Sequence, residues 1–186
     1  MTFQAYLTYF EDILTQEKPS HPYDNPDYIN YVQLNWSRMN RWLKHGELTT
    51  EIQQTVGKIT VQQHWLIITE PWCGDASHII PFLQKIADLN PLITVDYELR
   101  DQEPFRINNY LTNGGKAIPK LIIRNQTGDD LAIWGARPAE CQALYRKLSD
   151  ERADRETLKV TLQKWYNDNK GKAIQEEILQ ILNSIS

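Results

Sequence analysis

The stretch "WLIITEPWCGDASHIIPFL", Trp65 to Leu83, decides the fold. Its first five residues are a continuous apolar run bounded by breakers, the pattern of a strand covered on both faces. From Cys73 onward Ile79, Phe82, Leu83 and Ile86 recur at helical spacing, with Pro81 inside the helix they define. A buried strand therefore feeds a helix through a turn that carries a lone cysteine, Cys73. The residue three positions later is Ala76, where a second thiol would complete a dithiol pair.

Working outward, the elements alternate. Ile93, Val95, Tyr97 and Leu99 alternate as a second strand, and Phe105 to Leu111 predicts a short helix closed by "NGG". "IPKLII" and "LAIW" read as two strands joined by a polar hairpin containing Gly128. A helix follows Gly135 and Pro138. The order strand, helix, strand, helix, strand, strand, helix implies an α/β sheet of mixed direction. Upstream, Phe3, Tyr6, Leu7, Phe10, Ile13 and Leu14 form one helical stripe. A second helix opens at Asn25 and Pro26, carries Val32, Trp36, Met39 and Trp42, and stops at Gly46, a glycine suited to the left-handed cap. A short helix spans 50–56. Downstream, Leu158, Leu162, Trp165 and Tyr166, then Ile174, Ile178, Ile181 and Leu182, mark two more helices. The expected organisation is an N-terminal helical extension (1–59), an α/β core (60–149) and a C-terminal helical extension (150–186) in one compact domain.

Composition bounds the function classes. At 186 residues, 41% hydrophobic and 24% charged, the chain is ordinary globular material. A net charge of −4 with no basic block argues against nucleic acid. The N-terminus has no basic start or long apolar segment, and no apolar run approaches the roughly 20 residues of a membrane span. The expectation is a cytoplasmic protein without membrane contact. Two cysteines provide no disulfide framework, and His21, His45, His64 and His78 show no metal-ligand spacing, so neither metal nor cofactor is implied.

The element order and the turn "WCGDA" resemble the thioredoxin superfamily. Trp72 to Ala76 match its WCGPC with Asp75 for proline and Ala76 for the second cysteine. Pro81 matches its helix-kinking proline, Ile118 and Pro119 its cis-proline segment, and Gly135 the glycine that ends the last strand. The resemblance implies a thioredoxin-like mixed sheet flanked by helices, with the N- and C-terminal helices added. It makes Cys73 the catalytic thiol, with Trp72, Gly74, Asp75, Ala76, Ile118 and Pro119 shaping the substrate site. The family's buried aspartate, six residues before the nucleophile, is here Ile67.

The chemistry of Cys73 follows from its position. A sulfur at a helix start faces unpaired amides and the positive end of the macrodipole, which favour thiolate. The Asp75 carboxylate opposes this. With Ala76 in place of a resolving thiol, a mixed disulfide at Cys73 waits for an external thiol, from glutathione or a protein partner. That pattern fits a monothiol thiol-disulfide oxidoreductase acting on protein thiols or disulfides. The alternative is a redox-inactive member that keeps the groove beside Pro119 as a peptide- or protein-binding module. Cys141 reads as buried in a helix that packs away from the Cys73 turn. Ser77 and His78 read as exposed first-turn residues, Lys120 as a solvated lysine, and Asp96 and Glu98 as polar positions of a half-exposed strand. The stripes of the added helices must be covered, by the core or by a second copy in a homodimer.

Overall fold

The computed structural model describes residues 1–185. Four strands, β1 (Gln63–Thr69), β2 (Ile93–Leu99), β3 (Lys120–Arg124) and β4 (Asp130–Gly135), form one sheet in the order β2-β1-β3-β4. β1 runs parallel to β2, with Ile67 opposite Tyr97, and antiparallel to β3, with Ile67 opposite Leu121. β3 and β4 form an antiparallel hairpin, irregular between Ile123 and Arg124. The two inner strands are the two continuous apolar runs of the sequence: Trp65 to Ile68 and Leu121 to Ile123 are all essentially inaccessible. Burying an Ile or Leu side chain in this way contributes roughly 1.5–3 kcal/mol before conformational entropy is charged. The mixed α/β sheet with added terminal helices is the architecture expected.

The helices are α1 (Phe3–Thr15), α2 (Pro26–His45), α3 (Thr50–Val56), α4 (Gly74–Ala87), α5 (Ala139–Asp150), α6 (Arg155–Asn169) and α7 (Lys172–Ile185). Their starts use local polar caps: the side chains of Thr2, Asn25, Thr49 and Asp154 accept backbone N–H groups of the first turn. α3 is too short to persist alone. It survives because Ile52 and Val56, both fully buried, dock it against α7 and α4.

Two local expectations are corrected. Gly46 has φ −69°, so it is not a left-handed cap. Its lack of a side chain serves space instead: a Cβ there would lie 2.6 Å from the Trp42 carbonyl oxygen and 3.1 Å from the Phe82 ring. Between β2 and β3 the short helix is only a 3-10 turn, Arg106–Asn109, entered through Phe105 at φ 50°.

What matters for the site is where the added helices go. α1 lies against β2, where Tyr6 stacks on Tyr97 with ring centroids 5.3 Å apart. α2 packs along α4, and α7 reaches α3, α4 and β4. α6 packs on α5. Tyr6, Trp42, Ile67 and Ile178 belong to one continuous hydrophobic cluster, so the terminal helices share the core of the sheet.

Candidate functional site

β1 ends at Thr69, and four residues, Glu70 to Cys73, turn the chain into α4. The turn is held from two sides. Cys73 N–H donates to the Glu70 carbonyl at 3.0 Å, and the fully buried Asn35 of α2 donates from Nδ2 to the Pro71 carbonyl at 3.0 Å. Asn35 Oδ1 in turn accepts from Arg38 at 2.9 Å. A polar residue on the buried stripe of α2, beside Val32 and Met39, is costly unless it is bonded, and here its bonds shape the cysteine turn.

Cys73 is the N-cap of α4 but makes no capping bond; its Sγ donates to the Ile118 carbonyl oxygen at 3.4 Å. Only 7% of the residue is exposed. Burial, followed by the negative charge of Asp75, pushes its thiol up to about 12, against the amides of Ala76 and Asp75 and the guanidinium of Arg137. Amides do face the sulfur, as its place at the helix start implies, but desolvation outweighs them. Asp75 is not free either. Its carboxylate pairs with Arg137 Nη2 at 2.6 Å and accepts the Tyr166 hydroxyl at 2.8 Å, tying the start of α4 to α6 and to the loop after β4.

The other predicted residues surround this point. The Ile118–Pro119 peptide is cis, and Ile118 and Pro119 are buried. Gly135 lies directly behind them at φ +114°, and a Cβ there would fall 2.3 Å from the Pro119 carbonyl oxygen, so only glycine fits. Trp72 is half-buried, with Arg100 stacked 4.5 Å from its ring centroid and Tyr28 edge-on at 6.3 Å. Ala76 is 1% exposed, its methyl packed where a second thiol would stand.

Several neighbours depart from expectation. Ser77 and His78 are buried, because α2 and α6 cover the first turns of α4. Trp42 Nε1 donates to His78 Nδ1 at 2.9 Å, so the ring proton sits on Nε2, which donates to Gln163 at 3.0 Å. Burial pushes His78 down to about 3. Lys120 is buried and donates to Thr112 at 2.5 Å and to the Gly135 carbonyl at 3.1 Å, so it is not a solvated lysine. Cys141 is fully buried, as expected, but it does not lie away from the site: the charge of Asp75 acts on it, and Tyr166 contacts its thiol. Glu70, missed in the sequence, is a buried carboxyl in the turn itself, pushed up to about 7 by burial while accepting from the Asp101 N–H at 3.0 Å. Asp96 and Glu98 pair elsewhere, with His64 and Arg106. Among the described residues no group of acidic, histidine or cysteine side chains is arranged to hold a metal ion, and no helix is long and apolar enough to cross a membrane.

A cavity of about 760 Å³ opens above Cys73, walled by α2, by α6 and by the segment leading to Ile118. Its size falls in the range of small-molecule and short-peptide sites. It has room for a ligand against the Cys73 turn, and the helices added to the core set its width.

Residues 23–159 match the thioredoxin family model. Among solved structures, a protein of unknown function from Pseudomonas aeruginosa is similar at 18% identity with a TM-score of 0.59, covering 83% of this chain and 86% of its own. An HIV epitope-scaffold is similar at 17% identity and the same TM-score of 0.59, covering 84% of this chain and 92% of its own. A search of curated proteins returns no match.

Proposed function

This chain belongs to the thioredoxin family, and on that footing we propose that it is a binding protein that receives its ligand in the cavity over Cys73. Cys73 itself carries this reading. The residue is 7% exposed, its thiol hydrogen-bonded to Ile118 and pushed up to about 12. Thiolate is the nucleophile, and a thiol raised this far stays protonated at neutral pH. Ala76 adds no resolving thiol. In this reading Trp72 and Gly74 border the ligand, Ile118 and Pro119 offer it a backbone edge, and Asp75 is a structural ion-pair partner. Two cysteines kept as free thiols suit a reducing, cytoplasmic setting.

A second reading is single-thiol exchange, with Cys73 attacking a disulfide and an external thiol such as glutathione releasing it. The amides of Asp75 and Ala76 facing the sulfur favour it, as does a cavity that reaches the thiol. Fold alone does not choose between the two. Glutathione-dependent reduction of hydroxyethyl disulfide separates them, with wild type compared to Cys73→Ser. The binding reading expects identical background rates. Turnover that vanishes in Cys73→Ser overturns it and installs the exchange reading.

A further inference from the structure

The cavity carries a charge pattern opposite to that of the chain. Overall, 24 Asp and Glu outnumber 20 Lys and Arg. Around the cavity Arg38, Arg100, Lys116, Arg137, Arg155 and Lys159 face only Asp27 and Asp75. Asp75 is taken by Arg137 at 2.6 Å, and Arg100 has its own partner in Asp101 at 2.7 Å. Arg38, Lys116, Arg155 and Lys159 have no carboxylate partner among the described residues.

These four cations stand on three different walls. Arg38 projects from α2 and is half-buried, fixed by Asn35 at 2.9 Å. Its Nη1 lies 3.9 Å from where a Cβ on Gly74 would sit, beside the positive end of α4. Arg155 and Lys159 are one turn apart on α6, and Lys159 rests over the Tyr31 ring at 4.2 Å. Lys116 leads into Ile118. Cations gathered around a concave, partly desolvated space repel one another and focus a positive potential into it, which an anionic occupant relieves. A space of about 760 Å³ is far larger than a single inorganic anion fills. Tyr28, Leu34, Trp72 and Leu158 line the same cavity and suit the apolar parts of a longer ligand.

We propose that the ligand is a short acidic peptide, its carboxylates meeting Arg38 on α2 and Arg155 and Lys159 on α6 while its backbone crosses Trp72 and Ile118. The proposal rests on the reading of the cavity as a binding site, and it holds whether or not Cys73 exchanges. Calorimetric titration of the full chain tests it with three capped hexapeptides, alternating Ala with Glu, with Gln or with Lys, and with inorganic phosphate. The Glu peptide is expected to bind at least about tenfold tighter than the Gln peptide, and to weaken between about 50 and about 200 mM salt. Arg38→Gln with Lys159→Gln weakens the Glu peptide by about tenfold or more and leaves the Gln peptide unchanged. The exposed Arg155→Gln gives a smaller loss in the same direction without touching the Asn35 network. Equal binding of the Glu and Gln peptides overturns the charge assignment and leaves the cavity a binding site. Phosphate binding as tightly as the Glu peptide overturns the peptide assignment. Absence of binding by every peptide removes the binding-site reading itself, and the proposal with it.

Discussion

Cys73 and Cys141 occupy similar local positions and have different surroundings. Each sits at the start of a helix, Cys73 as the N-cap of α4 and Cys141 in the first turn of α5. Each feels the charge of Asp75 and is pushed up to about 12, with burial as the leading cause. A helix start therefore does not make a thiolate when the sulfur is taken out of water. What separates the two thiols is access. Cys73 lines a cavity and contacts Ile118; Cys141 is fully enclosed beside Tyr166.

The largest effect that would break this contrast comes from the segment that holds Cys73. Gly135→Ala places a Cβ 2.3 Å from the Pro119 carbonyl at a φ that disfavours side chains, and is expected to cost about 3 kcal/mol or more in urea unfolding. A loss under about 1 kcal/mol would mean that Pro119 is free to shift, and that the Ile118 carbonyl is not a fixed acceptor for the thiol.

Next comes the shared ion pair. Removing one partner of a buried pair costs about 3–5 kcal/mol; with Arg137 and Asp75 17% and 11% exposed, Arg137→Ala is expected to cost about 2–3 kcal/mol. Asp75→Asn sharpens the comparison instead. It removes the charge that raises both thiols, so Cys73 should alkylate several-fold faster at fixed pH while Cys141 stays protected. Equal acceleration of both cysteines would show that the variant opened the fold rather than retuned a thiol.

The smallest effect tests the rule of burial over local charge at two other groups. Glu70 titrates near 7 in the fold, so between about pH 4.5 and 7 the fold holds a proton that the unfolded chain releases, and stability falls as pH rises through that window. His78, pushed down to about 3, works the other way: its contribution is complete above about 6.5 and is lost as pH falls toward 3. The two oppose each other where they overlap. Glu70→Gln should uncover the histidine, and its melting temperature should drop more steeply than wild type from pH 7 to pH 5. Parallel curves would mean that Glu70 is ionised in the fold as it is in water.

The sheet was legible because its inner strands are unbroken apolar runs and its helices keep their stripes. The residues from Trp72 to Ala76, with Ile118, Pro119 and Gly135, fall close together because they sit just after β1, just before β3 and at the end of β4, which the antiparallel pairing brings to one edge of the sheet. The walls of the cavity were not legible. Nothing in local spacing says that α6 returns to cover Cys73, so Tyr166 on Asp75 and Gln163 on His78, 91 and 85 residues apart in sequence, could not be read. The burial of Ser77 and His78 was missed for the same reason, and that of Lys120 because its partners, Thr112 and Gly135, come from other segments of the chain. One signal was available: Asn35 interrupts a stripe of buried apolar positions, and a polar residue there marks a bonded, built feature. The direction of the Cys73 shift depended on coverage by α2 and α6, a tertiary fact.

Binding without exchange requires Cys73 to be a protonated thiol within reach of the cavity. The direct measurement is its alkylation rate by iodoacetamide against pH, in a Cys141→Ala background with Cys73→Ser as blank. A buried, protonated thiol is modified slowly at neutral pH, at a rate still climbing at pH 10, well past the free-cysteine midpoint of about 8.5. A rate that reaches its plateau below pH 8 would contradict it, making Cys73 a thiolate and the site a nucleophilic one.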